Sequence, residues 1–307
     1  MEQKQEPRML TVGEAAALLP ARNPGAHKGN FGRLLIVAGS AGYTGAAALC
    51  TLAALRMGAG IVTLASVLPV LAAAQAKLYE PTFLTLPDNG AGQIAAQAVE
   101  PLLERAQSAS ALLVGCGLGL SSDGKALTAG LLRGAPCPLL IDADGLNAVA
   151  GRLWLLREAK QPPVLTPHMG EMARLTGLDV ETIQADPRGC AAAFAREHRC
   201  IVVLKDADTV VAAADGRLFL YEGRNAGMAR GGSGDVLAGF AASLLAQGLE
   251  PAEAAAAAVC AMGVAGELAW ARMSPQDGNA TYRDRIIDAV CRMDGAALEK
   301  GANYEMR

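Results

Sequence analysis

Short apolar runs ending in glycine, serine, aspartate or lysine alternate with longer stretches of helical spacing along most of the chain. RLLIVAGS (33–40) opens the series. TGAAALCTLAALRMG then predicts a helix stopped by Gly58, and IVTLAS begins the next strand. The alternation returns at SALLVGCG (110–117), PLLIDAD (138–144), PPVLTP (162–167) and CIVVLKD (200–206). Strands without a polar face must be covered on both sides, so the pattern predicts an α/β fold, a mostly parallel central sheet with helices on both faces. DTVVAAADGRLFLYEG (208–223) differs: two short strands flank an Asp-Gly turn, which predicts a hairpin near a sheet edge. No repeat or low-complexity linker divides the chain. The expected organisation is a leading segment, 1–27, and a single domain, 28–300.

Composition narrows the partners. Apolar residues make up 52% of the 307 and aromatics only 4%, so the core is built from Ala, Leu and Val, and its helices can pack closely. The net charge of −3, the pI near 5.7 and the lack of a Lys/Arg run exclude nucleic acid and anionic membrane as expected partners and leave a small soluble ligand. Leu34 to Leu55 carries no charge and the mean hydropathy is +0.25, but Gly39, Ser40, Gly42 and Gly45 interrupt that window, so no membrane span is expected there. Seven cysteines (Cys50, Cys116, Cys137, Cys190, Cys200, Cys260, Cys291) lack any C-x-x-C pair, and an odd number cannot all pair within one chain. They are read as small core residues in a reducing compartment. The polar start, MEQKQEPRML, has no secretory h-region, and a cytoplasmic location is the expectation.

In open α/β sheets ligands sit beyond the carboxyl ends of the strands. The residues there are AGSAGYTGA (38–46), GCGLG (115–119), DADGLN (142–147), TPHMGE (166–171), KDADT (205–209) and GGSGD (231–235). In the last, Gly232, Ser233 and Gly234 let the backbone approach a ligand, and the helix that follows offers free N–H groups and its positive dipole end, an anion site suited to phosphate. Asp235 in its first turn has two readings: complement of the dipole, or a general base that takes a proton from a substrate hydroxyl. No Walker A string occurs, so the phosphate is held without a P-loop.

Together, HKGNFGRLLIVAGSAGYTGAA, VGCGLG, IDADGLN, TPHMGE and NAGMARGGSGDVLAG resemble the ADP-dependent NAD(P)H-hydrate dehydratases of the ribokinase-like superfamily, over about residues 10 to 295. Two positions depart from that pattern: Met169 stands for proline in TPHPGE, and Asp206 for the glycine after the lysine. The resemblance implies dehydration of hydrated NADH or NADPH, with ADP (or ATP) as co-substrate and Mg2+ as cofactor. Asp235 would be the base. Ala46, Gly117, Gly119, His168 and Asp235 would line the hydrated nucleotide, and Lys205, Asp206, Ala207, Asp208, Thr209, Gly232, Ser233 and Gly234 the AMP and phosphate portions. It further implies a homo-oligomer, a tetramer, and a separate protein for epimerisation of the hydrate.

Competing readings stand beside these. His168, at a helix start, either caps that helix or contacts substrate. Glu171 either supports magnesium or complements a helix dipole. Asp142 and Asp144 are magnesium-linked or strand-end turn formers. Lys28 reaches a phosphate or stays solvated. A small-alcohol kinase, acting on a thiazole or pyrimidine precursor, and a silent nucleotide-binding module are the alternative functions. The glycine-rich turn ending in Asp235 is common to dehydratase and kinase, whereas TPHMGE and HKGNFG favour the dehydratase.

Overall fold

The computed structural model describes residues 8, 9, 11–223 and 225–271. The strands are β1 (Arg8–Met9), β2 (Arg33–Val37), β3 (Ile61–Ser66), β4 (Thr82–Thr85), β5 (Ala111–Val114), β6 (Leu139–Ile141), β7 (Val164–Leu165), β8 (Ile201–Leu204), β9 (Asp208–Ala213) and β10 (Leu218–Glu222). They form one sheet in the order β1-β10-β9-β8-β7-β6-β5-β2-β3-β4. All neighbours are parallel except β8/β9 and β9/β10. Every residue of β5, β6, β7 and β8 is buried, as strands covered on both faces must be. The predicted hairpin is present: β9 and β10 run antiparallel through Asp215 and Gly216, and Gly216 takes φ +96°, a conformation few other residues tolerate.

β1 and β4 were not anticipated. β1 is two exposed residues that pair with β10, and β4 has exposed threonines at both ends, so neither carries an apolar run to signal it. The leading segment is thereby joined to the sheet.

Small residues set the helix spacing. Helix Ser233–Ala246 lies on helix Thr44–Arg56, and a Cβ added at Gly239 would run into the Cys50 carbonyl and sit 2.8 Å from Ala53 Cβ. Leu34 to Leu55 resolves into β2, a loop and helix Thr44–Arg56. The 21-residue helix Pro251–Ala271 is long and apolar enough to cross a membrane, yet 72% of its apolar window is buried inside the molecule against helix Ser233–Ala246 and the β9 region. Its alanine bias follows from that crowding.

Candidate active site

The winding of the sheet reverses at β2 and β5. From β2 the chain moves outward through β3 and β4, returns to β5 on the other side of β2, and continues through β6, β7 and β8. Ligands of open parallel sheets lie at such a switch point. Loop bonds hold its rim: Gly39 N–H donates to Cys116 O (2.8 Å) and Ser40 Oγ to Gly117 O (2.9 Å). Gly117 has φ +64°, and a Cβ there would sit 2.7 Å from Tyr43 Cβ and 3.0 Å from Ala46 Cβ, so Ala46 and Gly117 are neighbours and only glycine fits at 117. Gly119 (φ +85°) lies against the Gln93 side chain and gives its N–H to Asp144 Oδ2 (2.8 Å). Asp144 thus clamps this loop. Between the aspartates, Ala143 holds a positive φ of 49°, a local strain of the kind found at functional sites.

Four adjacent strand ends supply the charged centre. Asp142, 1% exposed at the end of β6, accepts from Lys205 Nζ (2.9 Å) and from Thr166 Oγ1 (2.6 Å) through Oδ1, while Cys116 Sγ stands 3.6 Å from Oδ2. Thr166 follows β7, Lys205 follows β8 and Cys116 follows β5. Buried Glu171 brings a second carboxylate to within 3.9 Å of Lys205 Nζ. Burial pulls the lysine amine down, but Asp142 and Glu171 outweigh it and hold the group above its ordinary value, so it stays charged.

Asp235 meets this centre from the third position of helix Ser233–Ala246. Gly232 caps that helix at φ +95°, and Ser233 Oγ donates to Met228 O (2.8 Å), which ties down the glycine-rich turn. One oxygen each of Asp235 and Asp142 and the Cys116 sulfur lie within 4.8 Å of one another. Burial first, and then the negative Asp142, raise the Asp235 carboxyl from 3.8 to about 6, against smaller opposing pulls from Cys116 and Lys205. A Cβ at Gly234 would lie 3.3 Å from Lys205 Nζ, so the ammonium stands at the helix start, where the dipole also favours anions.

A cavity of about 660 Å³ opens beside this centre. Of the sequence-predicted residues, His168, Lys205, Asp206, Ala207, Thr209, Ser233 and Gly234 line it. Ala46, Gly117 and Gly119 lie instead at the β2/β5 switch point, and Asp235, next to Gly234 in the chain and close to Cys116 in space, stands between the two groups. Asp208 pairs with Glu222 in the hairpin and is not among the lining residues. Tyr221, Met228, Val259 and Met262 add apolar lining, and of these Val259 and Met262 come from a helix that no motif flagged.

His168 caps a helix and borders the cavity. Its Nδ1 accepts from Gly170 N (3.0 Å) and Glu171 N (3.3 Å), capping helix Met169–Thr176, and Glu171 Oε2 accepts the His168 N–H (2.9 Å). The ring is half exposed, and its Nε2 stands 3.5 Å from Glu171 Oε1. Met169 takes the first helical position, so the helix starts without the expected proline. Asp206 is exposed, and among the described residues only Ala143 and Arg199 combine a side chain with positive φ, so position 206 does not require glycine.

Magnesium asks for several hard oxygen ligands. Here Asp142 Oδ1 already takes two donors beside an ammonium, Glu171 serves His168 and Lys205, and the third group at the centre is a thiol. These residues do not fit a resident Mg2+ site.

Sequence comparison agrees with the motifs. A family model for NAD(P)H-hydrate dehydratase matches residues 34–288. The bifunctional NAD(P)H-hydrate repair enzyme Nnr of Moorella thermoacetica is 42% identical over 260 residues, 85% of this chain and 49% of that one, and the chain spans about half the length of such curated relatives. The ADP-dependent (S)-NAD(P)H-hydrate dehydratase of Xanthomonas campestris is 40% identical over 254 residues, 81% of this chain and 84% of that one. Among solved structures, the Bacillus subtilis ADP/ATP-dependent NAD(P)H-hydrate dehydratase, co-crystallised with ATP and Mg2+, superposes with a TM-score of 0.79 at 29% identity, covering 93% of this chain and 98% of that one. The ribokinase-like fold and the match through strands, crevice and glycine-rich turn alike mean that this chain belongs to the NAD(P)H-hydrate dehydratase family.

Proposed function

We propose that the protein repairs hydrated NADH or NADPH, dehydrating the S-form with ADP and releasing the reduced nucleotide, AMP and phosphate. The observation that carries this reading is Asp235, a carboxyl raised to about 6, at the N-terminus of a helix whose Ser233 and Gly234 line the cavity together with the charged Lys205. A base with that proton affinity is mostly ionised at neutral pH yet still takes a proton readily.

The cavity suits the nucleotide. Its apolar lining around Met228, Val259 and Met262 accepts a base, and Lys205 with the amides of Ser233 and Gly234 faces the phosphates. Magnesium belongs with those phosphates, as part of the nucleotide substrate, where it neutralises their charge. The hydrated ring takes the switch point beside Ala46, Gly117 and Gly119, with His168 between the two ligands. Asp235 accepts the proton of the ring hydroxyl as its oxygen attacks the β-phosphorus of ADP, and the bond from that phosphorus to the AMP oxygen breaks. Hydroxide leaves poorly; the phosphate ester leaves well. The ring nitrogen's lone pair expels phosphate, and the neighbouring ring carbon gives its proton to water, which restores the dihydropyridine. Lys205 and the helix start stabilise charge that spreads over the moving phosphoryl group.

The test is incubation with hydrated NADH and ADP while following dihydronicotinamide absorbance and AMP together. Equal amounts of both are expected. ADP-dependent phosphorylation of a small alcohol, without recovery of NADH, would replace this reading by the kinase one.

A further inference from the structure

Asp235 does not stand alone. Asp142 has no freedom to turn away from it, because Thr166 Oγ1 at 2.6 Å and Lys205 Nζ at 2.9 Å fix its Oδ1 in a site that is 1% exposed. Cys116 cannot turn away either: it is fully buried on the loop that Gly39 and Ser40 hold at the rim. Its sulfur lies within 4.8 Å of a carboxylate oxygen of Asp142 and of Asp235. We propose that Asp142 and Cys116 are positioning residues of the reaction that act on Asp235 with opposite sign, Asp142 as a fixed like charge and Cys116 as a hydrogen-bond donor.

The signs follow from the chemistry. A carboxylate held this close to a second one makes each additional negative charge unfavourable, so Asp142 favours the protonated, proton-accepted state of Asp235. A thiol donates one hydrogen. Given to Asp235, that hydrogen stabilises the ionised carboxylate; given to Asp142 Oδ2, 3.6 Å away, it blunts the repelling charge. Either way the thiol opposes Asp142. It remains a donor because the adjacent Cys50 thiol and then burial keep Cys116 well above its ordinary value. The other groups facing Asp235 are Lys205, which favours the ionised form, and Asp144, which disfavours it; Glu171 acts through Lys205. Neither Asp142 nor Cys116 needs to touch the substrate for this role.

The inference rests on the reading of Asp235 as the base, so the primary measurement does not use activity. Carbon-13 NMR of the ligand-free protein, labelled in aspartate and assigned by the signal lost in Asp235→Asn, gives the Asp235 titration directly. In Asp142→Asn, whose amide oxygen can still accept from Thr166 and Lys205, the midpoint should fall by about one pH unit. In Cys116→Ala, which changes no charge and removes one sulfur from the core, it should rise by about half a unit. Loosened packing would instead let water in and move both variants downward. Should Asp142→Asn not fold, Cys116→Ala decides the sign alone, since an unchanged or lower midpoint there overturns the proposal. Midpoints unmoved in both variants overturn it as well. The acid limb of kcat/KM is then recorded in the same proteins. Titrations that move as stated while the limb stays put would keep the coupling and remove Asp235 as the base.

Discussion

Replacing Asp235 by asparagine should stabilise the ligand-free protein while abolishing its activity. The carboxyl is raised from 3.8 to about 6. A difference of about 2 pH units at ~1.4 kcal/mol each is a penalty of about 3 kcal/mol, an upper bound, for carrying this charge at neutral pH. Between pH 3.8 and about 6 the folded protein holds a proton that the unfolded chain has released, so by linkage the favourable contribution is fully present below 3.8 and is lost as pH rises through about 6. The asparagine variant has no such loss. Its advantage over wild type should be near zero at pH 4 and reach about 1–3 kcal/mol by pH 7.5, or ~2–4 °C in Tm per kcal/mol for a domain of this size. Urea or thermal melts of both proteins across that range read the difference directly. Groups such as Asp123 and Asp215, held below their ordinary values, slope the other way but are common to both proteins and cancel. Turnover should drop by about two to four orders of magnitude, since the cradle stays and the base is gone. A pH-independent difference, or a variant less stable than wild type at pH 7.5, would refute the reasoning that burial and Asp142 load this carboxyl.

Three further outcomes are expected. From sequence alone Lys205→Ala should weaken ADP binding and leave the ligand-free melt nearly unchanged; the structure changes the second half, because two buried carboxylates lose their cation, so the variant should lose about 3–5 kcal/mol. A wild-type melt for Lys205→Ala would mean that Asp142 and Glu171 are not held by it. Asp206→Gly should tighten ADP at low ionic strength, by less as salt rises, in calorimetric titrations, whereas no change at low salt would mean that this exposed carboxylate does not face the phosphates. Gly117→Ala should lower kcat/KM for the hydrate at least tenfold with nucleotide affinity retained, because the new Cβ displaces Tyr43 and Ala46 at the switch point; equal losses for both ligands would argue against separate subsites.

Much of this protein is written locally. Apolar runs such as LLIV and IVVL can only be buried strands, and their regular alternation with helical spacing already implies a mostly parallel sheet with its site at the carboxyl ends. The Asp-Gly pair fixes the hairpin, and the glycines around Ser233 mark the turn into helix Ser233–Ala246, because backbone conformation there depends on one or two residues. What stayed hidden depends on neighbours far apart in sequence. β1 and β4 exist only because an adjacent edge was free to pair. Cys116 read as a core residue, since nothing within its own segment shows that β5 ends beside Asp142 and Asp235. Lys205 read as a nucleotide contact, whereas its ammonium is first of all the counter-charge of Asp142 and Glu171, 63 and 34 positions earlier in the chain. Residue type and spacing determine which groups arrive at strand ends; only the order of strands in the sheet decides which charges meet there, and with them the proton affinity of Asp235.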